Sequence, residues 1–185
     1  MSKRILLSGV LGAIALMVWA FVAGAIFLFN VKVKMNQVQN ERAVYEVLKA
    51  NVVAPGAYIV NPEVVPDKGF PFGEPVFGLT YAGFGHEAAG RLVAVQPIVA
   101  LVSCLLAAWL LSKTSRRVLS SYARRVCFIA SIGLLIAVFA GLSKYGIGAY
   151  PAKATLLLAG YDLVSWIIAG LVIAGFMRAP AGEAA

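Results

Sequence analysis

The sequence predicts an all-α membrane protein. Four transmembrane helices are expected, with both termini cytoplasmic and a small α+β extracytoplasmic insert between helices 1 and 2. Three observations carry this expectation. The chain of 185 residues is 61% hydrophobic and only 13% charged, which is too apolar for an ordinary soluble domain. Four apolar runs stand out, Ile5–Phe29, Leu92–Leu111, Val126–Leu142 and Thr155–Met177. A helix needs roughly 20 apolar residues to cross a bilayer, and the third run is the shortest. Finally, the basic residues are unevenly distributed between the connections. Residues 1–185 therefore read as one four-helix transmembrane domain, with 30–91 as an insert within it.

The charge pattern sets the expected orientation. The net charge is +8. The connection Ser112–Arg125 holds Lys113, Arg116, Arg117, Arg124 and Arg125 without an acid, and the N-terminus holds Lys3 and Arg4. The Asn30–Arg91 loop instead balances six basic against six acidic residues. Basic excess in alternate short segments marks the cytoplasmic side of a multi-pass protein. An anionic leaflet would further attract the Arg-rich connection. Nucleic acid is not an expected partner, because no recognition motif or basic groove accompanies the charges.

The first run opens like a signal peptide, with MSKR before the apolar stretch. It is longer than a typical signal core and no small-residue cleavage site follows, so it is expected to remain as the first span. Gly9 with Ala13, and Ala20 with Gly24, place small residues at helix-packing spacing. The insert follows. Asn40 and Glu41 suit a helix start, and Val44, Val47 and Leu48 give that short helix one apolar face. Pro55-Gly56 ends it. Ala57–Val60 and Val76–Tyr81 read as two short strands around a proline- and glycine-rich loop. Phe70 and Phe72, in that loop, are candidate contacts for a partner subunit, although aromatic side chains there also suit a small local core or lipid headgroups.

Gly83–Glu87 leads into the second helix. Its glycines lack dinucleotide-binding spacing, and His86 with Glu87 lacks the second histidine of a zinc-protease motif. Trp109, Tyr122, Tyr145 and Tyr150 sit near span ends and suit interfacial belts, whereas Trp19 and Trp166 lie deeper and read as packing residues. Cys104 and Cys127 both fall within spans and read as small apolar core residues.

No catalytic residues, cofactor ligands or metal ligands are expected. The single histidine cannot supply paired haem ligands, and no paired-cysteine motif, phosphate loop or hydrolase elbow is present. The chain therefore does not read as an enzyme.

One polar signal remains. Asp162 lies within the last run, where an acid at a helix centre costs about 3 kcal/mol. It needs water, a partner group or a proton. Leu158, Ala159, Ser165, Trp166 and Ala169 share its face at helical spacing, and their small members allow close approach of another helix. At 1.5 Å per residue, Asp162 should lie level with Leu135 and Val99, and one turn from Gln96. Asp162, Gln96 and Ser165 form the candidate intramembrane polar site. Arg91 or Lys144 could reach toward it by snorkelling. The site reads either as a packing contact or as an ion or proton site.

Two stretches carry a resemblance. EVLKANVVAPGAYIVNP (Glu46–Pro62) and KYGIGAYPAKATLLLAGYDLVSWIIAGLVIA (Lys144–Ala174) together make up about a quarter of the chain. In them the sequence resembles a family of small bacterial inner-membrane proteins of uncharacterised function. The resemblance implies four spans around an outer insert, and a multi-pass protein of the bacterial inner membrane. It implies no activity. The topology is also similar to that of claudin-like proteins, but their outer-loop tryptophan and cysteine pattern is missing.

Three functions follow as expectations. The first is a non-catalytic membrane subunit or assembly partner of a larger complex, such as an energy-converting one, with the bilayer and other membrane subunits as partners. The second is an ion or proton transporter or channel component using Asp162. The third is a lipid- or quinone-binding protein with a pocket beside Asp162 or Gln96.

Overall fold

Backbone N–H and C=O groups cannot bond to water inside a bilayer, so an apolar run satisfies them by closing into a helix. The computed structural model describes residues 2–34, 36, 38–60, 77–85, 93–146 and 150–177. Among these, four helices are long and apolar enough to cross a membrane: Lys3–Ile26, Val95–Ser112, Tyr122–Tyr145 and Ala152–Phe176. The chain divides into two compact units, one formed by Met1–Asn36 with Arg91–Ala185 and the other by Gln37–Gly90.

In the first unit, α1 (Lys3–Phe21) starts at Ser2, whose side chain accepts the Ile5 N–H. It runs on through a π-helical turn, Val22–Ile26. Leu28 then takes a positive φ of 52°, a backbone region unfavourable to a side chain of its size. That bend separates α1 from α2 (Phe29–Lys34). With α3 (Glu41–Asn51) belonging to the other unit, the second long helix is α4 (Val95–Ser112). A short helix, α5 (Arg116–Leu119), leads to α6 (Tyr122–Ile136). A second π-helical stretch, Ala137–Leu142, and a final turn, α7 (Ser143–Gly146), complete that span. The last span is α8 (Ala152–Phe176).

The third helix, at 24 residues, is longer than its apolar run Val126–Leu142. The reason lies in Arg124 and Arg125. They interrupt the apolar run, yet the helix extends through them because their side chains bond to backbone carbonyls.

Helix α1 packs on both α4 and α8, and α6 packs on α8; direct contact of α4 with α6 or α8 is slight. Small residues set the approach of α1 and α4. A Cβ added at Gly9 would fall 2.9 Å from the Leu105 Cα, a backbone atom that cannot rotate away. Ala13 is buried beside it in the core, as the spacing predicts, while Ala20 is exposed and Gly24 only half-buried. The core gathers Ile5, Cys104, Ala107, Leu111, Ile129, Ala169, Ile173 and Met177. Every buried residue of α4 comes from its second half, Cys104 to Leu111, whereas Val95, Ile98, Val99 and Val102 are exposed. Around α4 the bundle is thus closed toward Arg125 and open toward Asp162, while Thr155, Leu158 and Ala159 of α8 remain buried. Of the two cysteines, Cys104 is buried but Cys127 is exposed, and both are free. Cys127 lies on a face of α6 turned away from the core.

At the closed end, α6 is tied to the last turns of α8. The Arg125 Nε donates to the Ala174 carbonyl at 2.9 Å and Nη1 donates to the Leu119 carbonyl. The Tyr122 hydroxyl donates to the Leu171 carbonyl at 2.9 Å, and the Arg125 guanidinium lies over the Tyr122 ring. The final carbonyls of a helix have no partner within it, so a cation there is favourable.

The second unit holds α3 (Glu41–Asn51) and two antiparallel strands, β1 (Gly56–Val60) and β2 (Phe77–Tyr81), paired from Gly56 with Tyr81 to Val60 with Phe77. Asn40 does not cap α3 with its side chain. It takes a left-handed conformation (φ 54°) and offers its carbonyl to Ala43 and Val44 instead. Val44 and Val47 are exposed and α3 has no buried residue. Gly83 has φ +80° and sits where a Cβ would meet Pro55 at 2.3 Å, so only glycine fits. The candidate contact residues Phe70 and Phe72, and His86, lie outside the described residues.

Candidate functional site

The open end of the bundle holds a cleft of about 430 Å³ walled by α1, α4 and α8 with Val93 just before α4. Helix α1 supplies Leu16, Met17 and Ala20; α4 supplies Gln96, Pro97, Val99, Ala100 and Ser103; α8 supplies Tyr161, Asp162, Ser165 and Trp166. The walls are mostly apolar, with polar groups set among them.

Each wall follows from local sequence. Asp162, Ser165 and Trp166 are three and four residues apart, so helical geometry puts them on one face. Gln96, Val99, Ala100 and Ser103 repeat that spacing on α4. Pro97 falls in the first turn of α4, where its missing N–H costs least.

All three residues of the predicted polar site line this one cleft. The depth argument holds for α4, since Val99 lies in the cleft with Asp162. On α6, Leu135 is 68% exposed on an outward face and takes no part in the cleft. Arg91 lies outside the described residues. Lys144 does not line the cleft.

The three polar residues have different parts. Ser165 is committed to packing. Its Oγ accepts from the Trp19 indole Nε1 at 3.0 Å and donates to the Tyr161 carbonyl at 2.7 Å. The Tyr161 ring in turn stacks between Trp19, at 6.1 Å between centroids, and Phe29, at 5.0 Å. This clamp joins α1, α2 and α8 and fixes one wall. Asp162 is half-buried and is an interacting side chain, not a free one. Gln96 is exposed on the opposite wall. The amide and carboxyl group therefore give the cleft both donors and acceptors within an apolar surround.

Ser103, Trp19 and Tyr161 are members of the site that the sequence reading did not assign to it. Ser103 had a signal, being seven residues after Gln96 and thus on its face. The partner of Trp19 is 146 residues distant in sequence and left no local trace. Among the described residues no group of three His, Cys, Asp or Glu side chains is placed to hold a metal ion.

Comparison with protein families, with curated proteins and with solved structures finds no match for this chain.

Proposed function

We propose that the chain is a non-catalytic integral-membrane subunit, and that the cleft at Asp162 receives a membrane-spanning segment of a larger complex. The observation that carries this reading is the cleft itself. It is open between α1, α4 and α8, and its walls combine small residues, Ala20, Ala100 and Ser103, with Asp162 and Gln96. Small residues let helix backbones approach, and polar side chains hydrogen-bond across helices in a membrane. The exposed first half of α4 extends the same surface. In this reading the protein lies in the bacterial inner membrane, with both termini and the Arg-rich connection cytoplasmic and residues 30–91 outside.

Purification of the native protein in mild detergent tests the proposal. Co-purification with a larger assembly in fixed proportion, weakened by Asp162→Leu but not by Asp162→Asn, is the expected result. A stable homo-oligomer with no other subunit would instead favour the transporter reading.

A second reading, a polar-headed lipid or quinone in the same cleft, is favoured by the mostly apolar walls. It predicts that an extractable amphiphile, not a protein, is lost in the Asp162→Leu variant.

A further inference from the structure

A second cavity lies at the same end of the first unit, apart from the Asp162 cleft. It encloses about 320 Å³ and is lined by Lys32, Val33, Asn36, Tyr150, Pro151, Lys153, Ala154 and Leu157. Its charge is one-sided. Lys32 and Lys153 both line it, and neither has an acidic partner among the described residues.

The two lysines come from distant parts of the chain and are brought together by packing. Lys32 follows Phe29 by three residues, so both occupy one side of α2. The Phe29 ring stacks on Tyr161 of α8 at 5.0 Å, which draws α2 against the helix that carries Lys153. Tyr150 is held by its N–H bond to the Lys144 carbonyl at 3.0 Å. Lys32, Lys153, Tyr150 and Asn36 thus border one hollow whose remaining wall includes Val33, Ala154 and Leu157.

The depth of the hollow matches a membrane surface. The last span begins at Ala152 and the first ends at Ile26. Lys153 is the second residue of that last span, at its surface end, and Lys32 lines the same cavity beside it. A headgroup layer extends roughly 5–8 Å beyond the hydrocarbon on each side. Ammonium groups at that level, above an apolar wall, suit a phosphate with acyl chains beneath it.

We propose that this cavity is a phosphate-binding site, with Lys32 and Lys153 pairing the anion and Tyr150 and Asn36 donating to its oxygens. The phosphate belongs either to a phospholipid headgroup or to free phosphate.

Native mass spectrometry of the detergent-solubilised full chain tests this. The probes are phosphatidylglycerol, a diacylglycerol with the same acyl chains, and inorganic phosphate. The wild type should retain one phosphatidylglycerol under activation that strips the diacylglycerol. The variant K32Q/K153Q should bind it about tenfold less well, since each surface cation contributes to anion attraction. The variant K32R/K153R should keep binding, and K113Q, at the opposite end of the bundle, should behave as wild type. Lysine-dependent binding of inorganic phosphate, displacing the lipid, would assign the site to free phosphate. Equal retention of diacylglycerol and phosphatidylglycerol by the wild type would overturn the proposal even if the glutamine variant failed to fold. So would unchanged phosphate and lipid binding by a folded K32Q/K153Q.

Discussion

Replacing Gly133 with alanine should separate two helices that now touch. A Cβ built at Gly133 would lie 2.3 Å from the Trp166 Cβ and 2.9 Å from its Cγ. Carbon atoms in favourable contact stand about 3.5–4.0 Å apart. The Trp166 Cβ is fixed by the backbone of α8, so no rotamer change moves it. Restoring contact distance therefore requires α6 and α8 to part locally by about 1.2 Å or more. Overpacking of this kind costs about 1–3 kcal/mol, and in a chain of this size each kcal/mol lowers the midpoint by about 2–4 °C. Gly160 and Gly175 are the internal controls. Both are in α8, and nothing lies within 4 Å of a Cβ added to either. Alanine there should be neutral or stabilising by up to about 1 kcal/mol, because glycine is the weaker helix former. Thermal unfolding in one detergent at one scan rate, followed by tryptophan fluorescence, compares the three. The reasoning is refuted if Gly133→Ala is as stable as wild type, or if Gly160→Ala loses as much as Gly133→Ala.

Three other perturbations have definite expected outcomes. Ser165→Ala removes the acceptor of the Trp19 indole and should cost about 0.6 kcal/mol, up to roughly 1.7, with altered Trp19 fluorescence; an unchanged spectrum and midpoint would oppose the clamp. Arg125→Met removes donors from the Ala174 and Leu119 carbonyls and should cost about 1.5–3 kcal/mol for each charged hydrogen bond lost, with faster proteolysis between α5 and α6; equal protease resistance would count against this tie. A cysteine at Lys68 should react with an impermeant reagent in intact cells and one at Arg117 should not, if the proposed orientation is correct; the reverse pattern would invert it.

The parts of this fold legible in the sequence were those encoded by local pattern. Four helices long and apolar enough to cross a membrane followed from apolar run length, and the strand pair from β-rich runs flanking a proline- and glycine-rich loop. The face of α8 bearing Leu158, Ala159 and Ala169 is buried as its small residues implied. Asp162 and Ser165 were joined by helical spacing and Gln96 was set near them by helical rise, and all three line one cleft. What was not legible depends on helix rotation and on distant partners. Leu135 lies at the right depth but on the wrong face. Arg125 read only as an orientation signal, and its burial at 5% exposed, with carbonyls of α8 and α5 as its acceptors, left no local trace. Cys127 read as a core residue because composition does not say which side of a membrane helix faces inward. Ser165 read as part of an open polar site, although both its hydrogen-bond roles are taken within the protein.

The central claim is that a membrane segment of another subunit occupies the cleft at Asp162. Site-specific photocrosslinking in intact membranes tests it most directly. A photoreactive residue is placed at Val99, on the cleft wall, and in a control at Phe139, which is 79% exposed in the π-helical stretch after α6. The account predicts one discrete crosslinked protein from Val99, mapped to a membrane-spanning segment of that protein. The product should persist in Asp162→Asn and fall sharply in Asp162→Leu, and Phe139 should not give it. Crosslinks from Val99 to lipid alone, or the same protein adduct from both positions, would contradict the claim.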